Sequence, residues 1–230
     1  VLQGAPVSTA NVTITTRYGQ ALAWAEEIHR DQRRKGKAVP YISHLIAVSA
    51  LVWEDGGTEE QAIAALLHDA IEDAGQSHGS IAERFGTAVA DIVRDCTDTC
   101  ETPPGGEKEP WLLRKTRYIA SLEHKPLTSL LVTAADKAHN GCDMVMDARR
   151  DPKMWSKFNA GLEGSAWYLL RMHQQLKRRL PESRSVEQLG EAVTEILNSE
   201  SYRCLVAGGI APAVWAASYV ERLETKQVHL

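Results

Sequence analysis

Three carboxylates and an imidazole fall close together at His68, Asp69, Glu72 and Asp73, inside the otherwise apolar stretch from Gly57 to Gly75. On a helix, residues three and four apart stack, so these four share a face while Ile63, Leu66, Leu67, Ala70, Ile71 and Ala74 form an apolar stripe. Burying such charges unpaired costs several kcal/mol each, and a bound cation removes that cost. Taken alone, the tetrad also fits a solvated, salt-bridged helix face. Two other segments supply what a metal site would need. His44 opens one of them, and Asp136 lies inside the nearly apolar run LTSLLVTAADKAHN, with His139 and Asn140 one turn on. An Asp in a buried helix interior calls for a metal or an ion pair. His139 reads as a hydrogen-bonded core residue. Together His44, the His68-Asp69 pair and Asp136 make a site of two imidazoles and two carboxylates from three helices. Mixed nitrogen and oxygen donors suit one divalent first-row ion, with Mn²⁺ or a similar octahedral ion favoured over four-coordinate zinc.

The elements that must hold these groups are helical throughout. Thr58 and Gln61 form a capping box and Gly75 a stop, so Thr58 to Gly75 reads as one helix. Before it come helices over Thr15 to Arg34 and Ile42 to Trp53, joined by the basic turn RRKGKAVPY; Lys and Arg in such a turn are by default solvated. After it come short helices from Ser80 to Phe85 and Thr87 to Asp95, a mobile loop from Thr97 to Pro110, and a helix from Trp111 to His124. Leu127 to Arg149 is the long helix that carries Asp136. A turn at Pro152, a helix to Arg179 and another from Val186 to Leu197 follow, with Trp155 or Tyr168 placed to stack on a base if near a pocket mouth. The reading is all-α, one domain of nine or ten helices. Its boundaries are a flexible tail over 1–14, the domain over 15–200, and a helical extension over 201–230 that packs on the domain or in a homo-oligomer contact.

Composition narrows the partners. With 43% hydrophobic and 24% charged residues the 230-residue chain is an ordinary globular protein, and a formal charge of -4 argues against a nucleic-acid backbone as main partner. No leader and no membrane-length apolar run is read. Cys96, Cys100, Cys142 and Cys204 lack C-x-x-C spacing, so reduced thiols and a cytoplasmic setting are expected.

His44, His68-Asp69 and Asp136 resemble the ordered H…HD…D signature of the HD metal-dependent phosphohydrolases. The words RKGKAVPYISH, AALLHDAIED, ERFGTAVADIV and ADKAHN resemble, more narrowly, the hydrolase domain of RelA/SpoT proteins and the stand-alone small alarmone hydrolases, over Ala21 to Leu176. The resemblance implies that His44, His68, Asp69 and Asp136 are the metal ligands and Glu72 and Asp73 the catalytic acid pair. It also implies that Arg34 and Lys35 contact the nucleotide and that Asn140 holds it near its 3′ side. The implied reaction is hydrolysis of the 3′-diphosphate of guanosine tetra- and pentaphosphate to GDP or GTP and pyrophosphate. The same site acting on an adenine alarmone or NADPH, or a sensor that binds without turnover, are the competing readings. Two extra residues between Gly36 and Pro40, and Leu45 where the long RelA/SpoT proteins have Pro, point to the short bacterial forms. Cys142 stands where an Arg commonly follows the D-K-x-H-N word, which bears on nucleotide preference.

Overall fold

The capping box at Thr58 sets the start of the central helix of the fold. Thr58 Oγ1 accepts from Gln61 N, and Gln61 Oε1 accepts from Thr58 N in return. The computed structural model describes residues 13–98 and 109–228, so residues 1–12 of the tail expected over 1–14, and residues 99–108 of the expected loop, lie outside the described residues. Thirteen α-helices occur among the described residues, ten of them seven residues or longer, against nine or ten read from the sequence. No strand occurs there; an isolated antiparallel bridge joins Arg33 to Pro40 across the basic turn.

Helices α1 (Thr16–Ile28) and α2 (Ile42–Glu54) flank α3 (Glu59–Leu67). Ala62 through Leu67 are all fully buried, so α3 is apolar all round rather than along one stripe, as a helix enclosed by others must be. The single helix expected up to Gly75 is broken. His68 and Asp69 form a turn, and α4 (Ala70–Asp73) starts after it with Asp69 near φ -100°, ψ 3°. His68 Nδ1 bonds to Ala65 O at 2.8 Å, the carbonyl that an uninterrupted helix would pair with Asp69 N. Helices α5 (His78–Phe85) and α6 (Thr87–Cys96) close this half.

The other half comprises α7 (Trp111–Ser121), a 3-10 turn over Pro152–Lys157, α9 (Gly161–Arg179), α10 (Arg184–Asn198) and α11 (Glu200–Arg203). Between the halves runs α8 (Leu127–Arg150). It gives Leu131, Val132 and Ala135 to the first core and Leu130, Ala134, Ala138 and Val145 to the second. Burial on both sides explains its apolar sequence. Helices α12 (Pro212–Ala217) and α13 (Tyr219–Val228) lie on α9, where Glu163 accepts from Trp215 Nε1 and Arg222 and Tyr219 packs on Trp167 at 5.7 Å.

Gly57 is where α2 turns into α3. A Cβ there would stand 2.6 Å from Val52 Cγ1 and 2.8 Å from Val52 O. Gly57→Ala is expected to cost about 1–3 kcal/mol, the usual scale for overpacking. Urea unfolding should show a lower midpoint with an unchanged m-value; an unchanged midpoint would mean the chain relaxes freely.

Candidate metal centre and substrate cavity

Helix α2 brings His44, the break after α3 brings His68 and Asp69, and α8 brings Asp136 to one place. His44, His68 and Asp136 each present a donor atom, all within 4.8 Å of one another. His44 Nε2 and His68 Nε2 lie 3.3 and 3.5 Å from Asp136 Oδ1, and Asp69 Oδ2 is 3.0 Å from His68 Nε2 and 4.0 Å from His44 Nε2. Both imidazoles are almost fully buried, yet neither Nε2 has a hydrogen-bond partner. Two buried nitrogens without partners, facing two carboxylates, are what a divalent ion with nitrogen and oxygen ligands requires. The residues present therefore fit such an ion.

The ionisation of the cluster points the same way. Burial by itself would raise the Asp136 carboxyl, but Lys137 and the two imidazoles hold it well below the usual carboxylate range. Burial would likewise lower His68, yet Asp69 and Asp136 hold it well above its ordinary value; at His44 burial prevails and the pKa falls. The carboxylates thus draw positive charge inward. A proton on His68 meets part of that demand and a divalent ion meets it fully.

A second layer of side chains orients these groups. His68 Nδ1 must carry hydrogen, because its partner Ala65 O only accepts, and this leaves Nε2 as the donor atom. His44 Nδ1 pairs with His139 Nδ1 at 2.8 Å, so His139 is a hydrogen-bonded neighbour of the cluster, as its sequence setting suggested. Burial pushes His139 down to about 4. Tyr41 Oη donates to Asp69 Oδ2 at 2.5 Å, and Lys137 and Asn140 donate to the two oxygens of Asp136. Sequence reasoning passed over Tyr41 and Lys137, although each stands inside a quoted word, VPYISH and ADKAHN.

Asp73 lines one of two adjoining cavities and the basic turn reaches both. One, of about 340 Å³, lies between α7, α8 and α9 and is walled by Lys35, Arg114, Lys115, Lys137, Asn140, Trp111, Tyr168 and Phe158. Glu72 Oε1 is 4.0 Å from its Arg114. The other, of about 240 Å³, contains Arg34, Lys35, Lys37, Asn140 and Asp73. Asn140 joins cavity to metal cluster: its Oδ1 accepts from Arg34 at 2.9 Å while its Nδ2 donates to Asp136. Lys35 Nζ sits 5.5 Å from the Phe158 ring and borders both spaces. Arg114 and Lys115 are clamped by the buried Asp98. Nothing local in the sequence marks that Asp98 meets α7. Four cationic side chains around one opening suit a phosphate-rich ligand.

Three sequence departures find places here. The lengthened turn lets Lys37 pair with Asp143 and Asp147, at 2.6 and 2.7 Å, and so ties it to α8. Leu45 is fully buried in the first core. Cys142 is exposed and lines neither cavity. Of the two aromatics considered for a pocket mouth, Tyr168 lines the larger cavity, whereas Trp155 lies in the core.

The all-α architecture gathers His44, His68, Asp69 and Asp136 where α2, the break after α3 and α8 meet, in a donor set that fits a divalent ion. The HD-domain family model matches residues 21–150, and the chain belongs to that family. It is 34% identical over 144 residues to the guanosine-3′,5′-bis(diphosphate) 3′-pyrophosphohydrolase MESH1 of Xenopus tropicalis, spanning 60% of this chain and 73% of the relative. The human MESH1 is 32% identical over 141 residues with the same coverage. Among solved structures, a metazoan orthologue of SpoT described as hydrolysing ppGpp superposes with a TM-score of 0.64. That match covers 80% of this chain and 97% of the other at 24% identity, and it speaks for the fold.

Proposed function

We propose that this protein is a metal-dependent hydrolase of (p)ppGpp that releases the 3′-diphosphate as pyrophosphate and leaves GDP or GTP. The observation that carries the reading is the pair of buried, unpartnered Nε2 atoms facing Asp136 and Asp69, next to a cavity walled by cations. The relatives named for this reaction, at 32–34% identity, support it.

His44, His68, Asp69 and Asp136 would hold the ion, and the octahedral preference of a nitrogen and oxygen donor set favours Mn²⁺. When bound, the ion supplies activation of water and polarisation of a phosphoryl oxygen. Glu72 and Asp73, just past those ligands on α4, orient or deprotonate the attacking water. Arg34 contacts phosphate in a bidentate manner and Lys35 as a point charge. Asn140 keeps one N–H for a phosphate or sugar oxygen after donating to Asp136. A cytoplasmic setting accords with the free thiols at Cys96, Cys142 and Cys204.

The test is a substrate panel with purified protein and added Mn²⁺, in which pyrophosphate and orthophosphate are separated by chromatography. Pyrophosphate from ppGpp is the expected product. Binding of ppGpp with no product under any divalent ion would make the protein a sensor, and faster turnover of ppApp or NADPH would move the substrate assignment. Within the same assay, Arg34→Ala should raise KM about tenfold or more while kcat changes less, since phosphate neutralisation acts on bound substrate. An unchanged KM would remove Arg34 from substrate binding.

A further inference from the structure

Ahead of the basic turn stand His29 and Gln32, which the metal cluster and the cavity cations do not account for. His29 ends α1 and is 2% exposed. Its Nδ1 is 2.5 Å from Gln32 Oε1, and because that oxygen only accepts, Nδ1 is the donor. Gln32 Nε2 in turn donates to Asp73 Oδ2 at 2.9 Å. The Asp73 carboxylate therefore fixes the amide: reversed, it would set oxygen against carboxylate, and in the orientation that remains Oε1 faces His29 and the imidazole carries its hydrogen on Nδ1. The Gln32 backbone is pinned as well, its N–H bonding to His29 O at 3.0 Å and its carbonyl accepting from Tyr41 N at 3.1 Å. Tyr41 then reaches Asp69. One segment, 29–41, thus grips a carboxylate on either end of the short α4 region.

Asp73 is exposed and sits on a helix of four residues, where its own element gives little rotational restraint. We infer that Gln32, oriented by His29, is a positioning residue that sets the Asp73 carboxylate for its part in hydrolysis. The inference rests on the assignment of Asp73 above. Its mechanism is geometric: an acid that must meet a water molecule in line gains rate from being held in one rotamer, and small misplacements are costly.

The experiment compares Gln32→Leu, Asp73→Asn and the double variant in the full chain, with kcat, KM, divalent-ion affinity and Tm measured for each. Gln32→Leu should lower kcat about tenfold, with KM, ion affinity and Tm close to those of the parent. On an Asp73→Asn background the same change should lower kcat no further, because the two act as one unit. Gln32→Glu, which sets a carboxylate against Asp73, should lose more than Gln32→Leu. Losses that multiply in the double variant, or a Gln32→Leu protein at parental kcat beside a slow Asp73→Asn, would overturn the inference alone. Asp73→Asn at parental kcat would overturn the Asp73 assignment and the inference with it.

Discussion

His68→Ala should lose the metal and the turnover together. The change deletes one of two buried Nε2 donors that face Asp136, and it also removes the side-chain bond to Ala65 O at the break that presents Asp69. Metal activation is worth several kcal/mol of barrier, and each 1.36 kcal/mol is tenfold, so kcat/KM should fall by about 10³ or more. Titration calorimetry with Mn²⁺ should show binding in the parent and none in the variant at the same concentration. His68 is a cleaner choice than Asp136, whose removal also leaves the half-buried Lys137 ammonium of the cavity wall without its carboxylate partner. A His68→Ala protein that still binds one ion and turns over at the parental rate would abolish the proposed centre.

The second large effect separates chemistry from metal binding. Glu72→Ala should retain the ion and lose about 10² or more in kcat, the scale of general acid-base assistance. Glu72 is half-buried on α4, past Asp69, with Oε1 4.0 Å from Arg114 of the cavity wall. Glu72→Gln preserves the shape and is the control for packing; it should be nearly as slow as Glu72→Ala with an unchanged Tm. Parental turnover by a metal-loaded Glu72→Ala protein would take Glu72 out of the reaction and leave Asp73 as the remaining candidate.

Some of this arrangement is written in local sequence. The all-α architecture follows from helical periodicity, and the start of α3 from the Thr58 and Gln61 pair, because both depend on contacts within a few residues. The unusual polarity of Asp136 in an apolar run marks a buried charge wherever the helix ends up. Other features have no local signature. The break at His68 coincides with a side-chain bond to the backbone carbonyl of Ala65, which a pattern of apolar spacing does not register. Gly75 reads as the end of one helix in either case.

The donor types, their order along the chain and the helices that carry His44 and Asp136 were determined by sequence, since composition and 3.6-residue periodicity act over one or two turns. Tertiary structure decided which groups meet. Asn140 spans Arg34 and Asp136, Gln32 reaches Asp73, Tyr41 reaches Asp69, and Asp98 gathers Arg114 and Lys115 into the cavity wall. Cys142, one turn past Ala138, faces outward. The reason is physical: α8 is buried on two sides, and the angles at which its neighbours cross it are set by the packing of whole faces. Those angles fix which hydrogen bonds close between residues many tens of positions apart.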